Sequence, residues 1–236
     1  MATARHGLAE NRVAIVTGGS RGVGRETIDR LASVGYAVVV NYVHDQRTAE
    51  STVEAVLAAR GTAVAIRADV ADELDVERLF AQTIETFGAV DAVVHAVRGH
   101  VTAASLTEVA LDEFDALCRT SLRATFIVNR IAARHVRNGG AIVNLSSSVG
   151  ASALPSYGAY GTTTAGIDAL IRMLALDLRE RDITVNGVAL DVGKPCAPGR
   201  AADVIVYLLS DDGHGNTGHV MRLAHPSRGL EGGTDH

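Results

Sequence analysis

The segment Thr17-Gly18-Gly19-Ser20-Arg21-Gly22-Val23-Gly24 directly follows the apolar run Val13–Thr17 and opens a helical pattern. Glycines at such a junction permit a tight turn and let main-chain amides come close to an anion. The first turn of the following helix adds unpaired N–H groups and the positive end of its dipole, so a pyrophosphate is the ligand this loop suits. Gly18, Gly22 and Gly24 are assigned to it, with Ser20 and Val23 on the same loop. Dinucleotide folds that use NAD place a carboxylate at the end of the second strand to hold the ribose 2′-hydroxyl. Here that position reads Asn41-Tyr42, and the missing charge leaves room for a 2′-phosphate.

The elements that must position this loop alternate along the chain. Short apolar runs at Val13–Thr17, Ala37–Asn41, Ala63–Arg67, Ala92–His95, Ala141–Leu145, Thr184–Ala189 and His219–Leu223 predict strands. Because these runs are almost wholly apolar, their sheet should be covered by helices on both faces. Ile28, Leu31 and Ala32, and then Val53, Val56 and Leu57, recur at helical spacing, and Gly35 and Gly61 stand where C-cap glycines would sit. A longer helix is expected over Ala165–Arg179. The expected architecture is one α/β domain over residues 1–236, a Rossmann-type doubly wound three-layer sandwich with a seven-stranded parallel sheet. Flexible termini are expected at about 1–11 and 225–236.

Composition removes several classes of function. No apolar run approaches the roughly 20 residues of a membrane-spanning helix, and a net charge of −5 argues against a phosphate-tracking nucleic-acid surface. Cys118 and Cys196 stand far apart, so neither a disulfide framework nor a metal site is indicated. The first residues, MATARHGLAENR, carry no apolar segment of the secretory kind, and a cytoplasmic location is expected.

The spacing T-G-x-x-x-G-x-G resembles the short-chain dehydrogenase/reductases, and the similarity runs from Val13 to about Leu223. The resemblance implies an NADP(H) cofactor, with Arg21 matching a position that contacts the 2′-phosphate in NADP-using members. Asp69-Val70 resembles the family's adenine contact, although Asp69 could instead cap the next helix. In this family a Ser orients the substrate carbonyl, a Tyr transfers the proton, a Lys holds the ribose and lowers the Tyr pKa, and an Asn supports a water relay. Ser147 and Tyr160 match at thirteen residues' spacing, which Tyr157 does not fit. Thr164 stands in place of the Lys, and Ser121 in place of the Asn, judged from Phe114, Asp115 and Phe126. His95-Ala96-Val97-Arg98 replaces N-N-A-G, Leu190-Asp191 replaces P-G, and the connection from Asp191 to Ala201 is short, which predicts an open site.

A tyrosine without a neighbouring cation has a pKa near 10, so at pH 7 only about one in a thousand is ionised. Oxidation, which needs a phenolate base, should suffer, whereas reduction needs the protonated form. The resemblance therefore implies an NADPH-dependent reductase of a small carbonyl or hydroxyl substrate, and Thr164→Lys is expected to raise its turnover. Two other functions stay open: a non-redox cyclase, dehydratase or isomerase using Ser147, Tyr160 and His95 or His100, and a catalytically silent nucleotide- or partner-binding subunit. For His95 a hydrogen-bonded structural role is the alternative. The family pairs through the helices here at about 111–136 and 160–179, which implies a homodimer or homotetramer, or an assembly with an active relative.

Overall fold

The computed structural model describes residues 12–97, 99, 103–152, 154–192 and 198–223. The chain alternates β1 (Val13–Thr17), α1 (Gly22–Ser33), β2 (Ala37–Tyr42), α2 (Gln46–Ala58), β3 (Thr62–Arg67), α3 (Glu73–Phe87) and β4 (Val90–His95). It continues through α4 (Leu111–Leu117), a π-helical stretch (Cys118–Arg123), α5 (Ala124–His135), β5 (Val136–Ser147), α6 (Val149–Ser152), α7 (Gly158–Asp177), β6 (Thr184–Leu190), α8 (Pro198–Leu209) and β7 (Val220–Leu223). Among the described residues these strands form one seven-stranded sheet in the order β3-β2-β1-β4-β5-β6-β7, with every pairing parallel.

Alternation along the strands sends side chains to two separate cores. Ile15, Val39, Val93 and Ile142 meet Leu79 and Phe80 of α3, Ile127 and Ile131 of α5, and Ile167 and Ile171 of α7. Val16, Val38, Val94 and Val143 meet Ile28 and Leu31 of α1, Val56 of α2, and Ile205 and Leu208 of α8. The result is the expected three-layer sandwich. Its strand order reverses between β1 and β4, where Thr17 and His95 pair side by side, and ligands of doubly wound sheets bind at such a switch point.

Several local expectations need correction. Gly35 does take a positive φ of 94°, but after α2 the left-handed residue is Arg60, at φ 64°, rather than Gly61. Gly61 is demanded by space, since a Cβ there would lie 2.8 Å from Val56 Cγ1. Asp72, not Asp69, caps α3, accepting from Asp75 N at 3.0 Å. The long helix starts at Gly158, earlier than expected, so Tyr160 and Thr164 sit inside its first turns. Neither of the expected flexible termini, nor Arg98, nor His100, lies within the described residues.

A buried polar tie sets β5 against α5. Asn129 Nδ2 donates to Asn144 Oδ1 at 2.7 Å, and Asn144 Nδ2 returns a bond to Asn129 Oδ1 at 2.9 Å. Both side chains are buried, so neither has water to replace its partner. Asn129→Leu strands the Asn144 amide and is expected to cost about 1–3 kcal/mol. Urea unfolding checks this, and a loss within experimental error would contradict it.

Candidate active site

The loop between β1 and α1 is shaped by two requirements for glycine. Gly18 has φ 67°, and a Cβ there would sit 3.1 Å from both Ala96 O and Val97 Cγ2. A Cβ on Gly24 would overlap the Gly18 carbonyl oxygen, so α1 begins pressed against the loop. Gly22 differs: at φ 57° it has nothing within 4 Å of its would-be Cβ, which leaves open space over the start of the helix. Arg21 at the N-cap makes no side-chain cap bond, and no acidic residue stands in the first turn. The free amides of that turn and the open space above Gly22 fit a dinucleotide pyrophosphate.

Arg21 is exposed and shares a cleft with His44, which follows β2. Asp45 beside it caps α2, accepting from Thr48 Oγ1 at 2.7 Å and Thr48 N at 3.1 Å. These bonds, with the nearby charges of Arg21 and Arg47, hold its carboxyl below the usual range. Asn41 is turned away from the cleft: it is buried, and its Nδ2 donates to Ala68 O at 3.0 Å and Ile66 O at 3.3 Å. Asp69 Oδ1 accepts from Ala71 N at 2.9 Å, its Oδ2 lies 3.6 Å from Arg119 Nη2, and Val70 beside it is buried.

His95 is fully buried at the switch point, sharing a 2.8 Å hydrogen bond between its Nδ1 and Thr17 Oγ1. Burial lowers its pKa to about 4, so the ring is neutral at pH 7 and serves as a structural strut. Its Nε2 is buried without a hydrogen-bond partner among the described residues. The non-redox function that used His95 as an acid or base loses that group. Ala96 continues the strut, donating its N–H to Thr17 O at 3.1 Å.

Ser121 lies in the π-helical stretch, a helix type that recurs at functional sites. It is buried, and its Oγ accepts from Gly99 N at 3.0 Å. A Cβ on Gly99 would lie 2.6 Å from that oxygen and 2.9 Å from Leu117 Cδ1, so the chain after β4 is fitted closely to the helix.

Tyr160 is buried against Leu117 and Val149, and its hydroxyl makes no hydrogen bond among the described residues. Tyr160 and Tyr157 both line a cavity of about 720 Å³ that extends to Arg21 and His44 and includes Val97, Gly99, Val109, Phe114 and Thr120. Sequence reasoning found Arg21 and Tyr160 but missed His44 and Val109, whose membership depends on loop paths. Thr164 is buried one turn after Tyr160, and its Oγ1 donates back to Tyr160 O at 3.0 Å and Gly161 O at 3.1 Å. Gly150 of α6 covers it so closely that a Cβ there would lie 2.8 Å from Thr164 Oγ1. Any residue larger than glycine at 150 would therefore press on the Thr164 hydroxyl. Ser147 is likewise buried, its Oγ donating to Leu190 O at 3.2 Å and accepting from Val149 N at 3.4 Å.

A glycine loop at the switch point, an open helix N-terminus and a tyrosine in the adjoining cavity define a Rossmann-type dinucleotide-dependent oxidoreductase. The comparisons place it further. Residues 18–194 match the family described as Enoyl-(Acyl carrier protein) reductase. The chain is 38% identical over 181 residues to versicolorin reductase 1 of Aspergillus parasiticus, covering 76% of this chain and 69% of the relative. It is 30% identical over 241 residues to an uncharacterized oxidoreductase of Methylorubrum extorquens, covering 91% and 97%. Among solved structures it resembles a dehydrogenase/reductase of Sinorhizobium meliloti, with TM-score 0.85, 31% identity and coverage of 91% and 94%. A short chain dehydrogenase of Burkholderia cenocepacia in complex with NADP gives TM-score 0.83 at 27% identity, covering 92% and 98%. The chain belongs to the short-chain dehydrogenase/reductase family, whose oxidoreductases use nicotinamide cofactors. No described helix is long and apolar enough to cross a membrane.

The buried imidazole makes stability depend on pH in a stated direction. Between its ordinary value of 6.5 and about 4, the unfolded chain binds a proton that the folded chain excludes. Stability is therefore lost as pH falls through that window, by up to about 1.4 kcal/mol per pH unit from this group. His95→Asn should flatten the slope of urea-unfolding free energy over pH 6.5 to 4, and an unchanged slope would show that His95 is not the group responsible.

Proposed function

We propose that the protein is an NADPH-dependent reductase of a small carbonyl compound, with Tyr160 as proton donor. The observation that carries this is one cavity lined both by exposed Arg21, beside the open start of α1, and by Tyr160, whose hydroxyl makes no hydrogen bond among the described residues. Arg21 offers a planar fork to the 2′-phosphate, while Ser20, Val23 and the glycines flank the pyrophosphate. Asp69 and Val70 stand at the adenine end, and His95 and Ala96 support the floor beneath the ribose. Asn41 contributes by absence of charge rather than by contact. When bound, the cofactor supplies a hydride to the carbonyl carbon.

The chain's own part is the proton, passed from Tyr160 Oη to the carbonyl oxygen as the alcohol forms and regained from solvent. With Thr164 where an ammonium would stabilise a phenolate, the reverse oxidation has no assisted base. Relatives and neighbours named as a versicolorin reductase and as complexes with NADP or NADPH support both the direction and the cofactor. A silent nucleotide-binding subunit is the second reading, favoured by Thr164 turning its hydroxyl back into its own helix.

Pairing of two copies fits the exposed apolar side chains of Phe126 on α5 (52% exposed) and Met173 and Leu176 on α7 (61% and 62%). Phe126 also lines a groove of about 900 Å³ with Leu122, Gly166 and Leu170, and all three exposed side chains lie on the helices that the family resemblance implicates. A homodimer or homotetramer is expected by light scattering, and Met173→Glu with Leu176→Glu should shift it toward monomer. A monomeric wild type at micromolar concentration would refute the pairing.

Fluorescence titration should give tighter binding of NADPH than NADH. Arg21→Ala should weaken NADPH about 10- to 100-fold, as for loss of a charge-assisted hydrogen bond, with NADH unchanged. Equal affinities would overturn the cofactor assignment. Tyr160→Phe should retain NADPH affinity and lose turnover, and NADPH binding without turnover by the wild type would favour the silent subunit.

A further inference from the structure

Tyr157 and Tyr160 line one cavity, and only Tyr160 has a part in the reductase reading. Tyr157 is half-buried, with its ring packed onto the cluster of Leu117, Val149 and Tyr160. Its hydroxyl makes no hydrogen bond among the described residues. A packed tyrosine ring usually places its hydroxyl where it finds a partner. The other polar side chains of this cavity are accounted for. Arg21 and His44 stand at the end assigned to the cofactor phosphate, Thr120 donates its hydroxyl to Ala116 O at 2.8 Å, and Ser156 and Glu113 are exposed to water.

The chain entering α7 holds Tyr157 in place. Ser156 before it has φ 65°, a left-handed conformation that costs a serine more than a glycine, and its carbonyl accepts Ala104 N at 2.9 Å. Tyr157 O then receives Gly161 N at 2.7 Å as the helix begins. The turn is thus pinned on both sides of the tyrosine. Residues three apart at a helix start fall on the same side, so Tyr157 lies next to Tyr160 across one turn. A substrate whose carbonyl meets Tyr160 therefore has the Tyr157 ring beside it. Packing alone would be served by phenylalanine, which has the same ring, and what the hydroxyl adds is a polar contact.

We propose that Tyr157 is a specificity-determining residue whose hydroxyl hydrogen-bonds a second oxygen on the substrate, a ketone that carries a further hydroxyl or carbonyl on an apolar frame. The proposal rests on the reductase reading above. A phenol both donates and accepts, so it serves either kind of oxygen. Val97, Val109, Phe114 and Leu117 give the frame its apolar walls. The second oxygen gains no charge in the reaction, so its bond to Tyr157 is as strong in the ground state as in the transition state. Loss of that bond raises KM and leaves kcat nearly as it was, the opposite of what loss of the Tyr160 proton does.

The test measures kcat/KM for NADPH consumption with two plain ketones, cyclohexanone and decalone, and with cyclohexanediones, hydroxycyclohexanones and hydroxydecalones. The readout is the ratio of the best oxygenated substrate to its plain parent, in the wild type and in Tyr157→Phe. Intrinsic reactivity of each ketone is common to both enzymes, and the ratio is taken within one preparation, so any difference in folded fraction cancels. Tyr157→Phe should lower the ratio about 10-fold, through KM, as for one lost hydrogen bond, with NADPH affinity unchanged. Tyr157→Gln, which keeps a donor and an acceptor, should recover part of it. A ratio unchanged in Tyr157→Phe, or lowered through kcat alone, overturns the proposal. A wild type that binds NADPH yet consumes none with any probe overturns the reductase reading itself, a different observable.

Discussion

The contact on which the rest of the site depends is the main-chain approach between Gly24 and Gly18, where the first turn of α1 lies against the loop that leaves β1. A side chain at Gly24 would push the helix away from the loop, so that its free amides would no longer face the cleft. The same loop rests on Ala96 and Val97 at the end of β4, so the position of the glycine turn also sets the floor of the cavity. That floor is held from below by the Thr17–His95 bond, made possible because β1 and β4 are neighbours at the switch point. An anion site and a strand-end strut are thus two consequences of one packing constraint.

A second close approach controls the chemistry at the other end of the cavity. Gly150 and Thr164 hold α6 against the first turns of α7, and this contact keeps Val149 against Tyr160. The position one turn after the tyrosine is buried and holds a back-bonded hydroxyl in place of a cation. The cleft carries an exposed positive charge at Arg21, where a dinucleotide phosphate would sit, while Leu117 and Val149 pack against the tyrosine. Such a layout favours binding of an anionic cofactor and proton donation over proton abstraction.

Buried polar side chains serve mainly as fasteners. Asn41 ties β2 to the chain after β3, the Asn129–Asn144 pair ties α5 to β5, and Ser147 ties β5 to β6. Each satisfies main-chain or amide groups that have no access to water, and leaving any of them unpaired costs more than the bond itself contributes. Of these, Asn41 and Ser147 were candidates for cofactor or substrate contact when only their positions along the chain were considered. In the structure both are buried and hold the strand ends in place.

The sequence by itself determined the alternation of strands and helices, the parallel sheet and the glycine loop, because apolar periodicity and the need for glycine are local properties that survive without knowledge of neighbours. Strand positions came within a few residues, and Arg21 and Tyr160 were legible because each lies at a fixed offset from a local landmark. Direction of side chains was not legible. Whether Asn41 faces cleft or core and whether His95 titrates depend on pleat, register and the elements packed on each face. A shift of one residue along a strand reverses the face presented, so spacing marked Asn41 and Ser147 along the chain while only the tertiary structure gave their burial and their main-chain partners. The same holds for Thr164: its identity was plain in the sequence, but only the packing of α6 over α7 brought Gly150 over its hydroxyl.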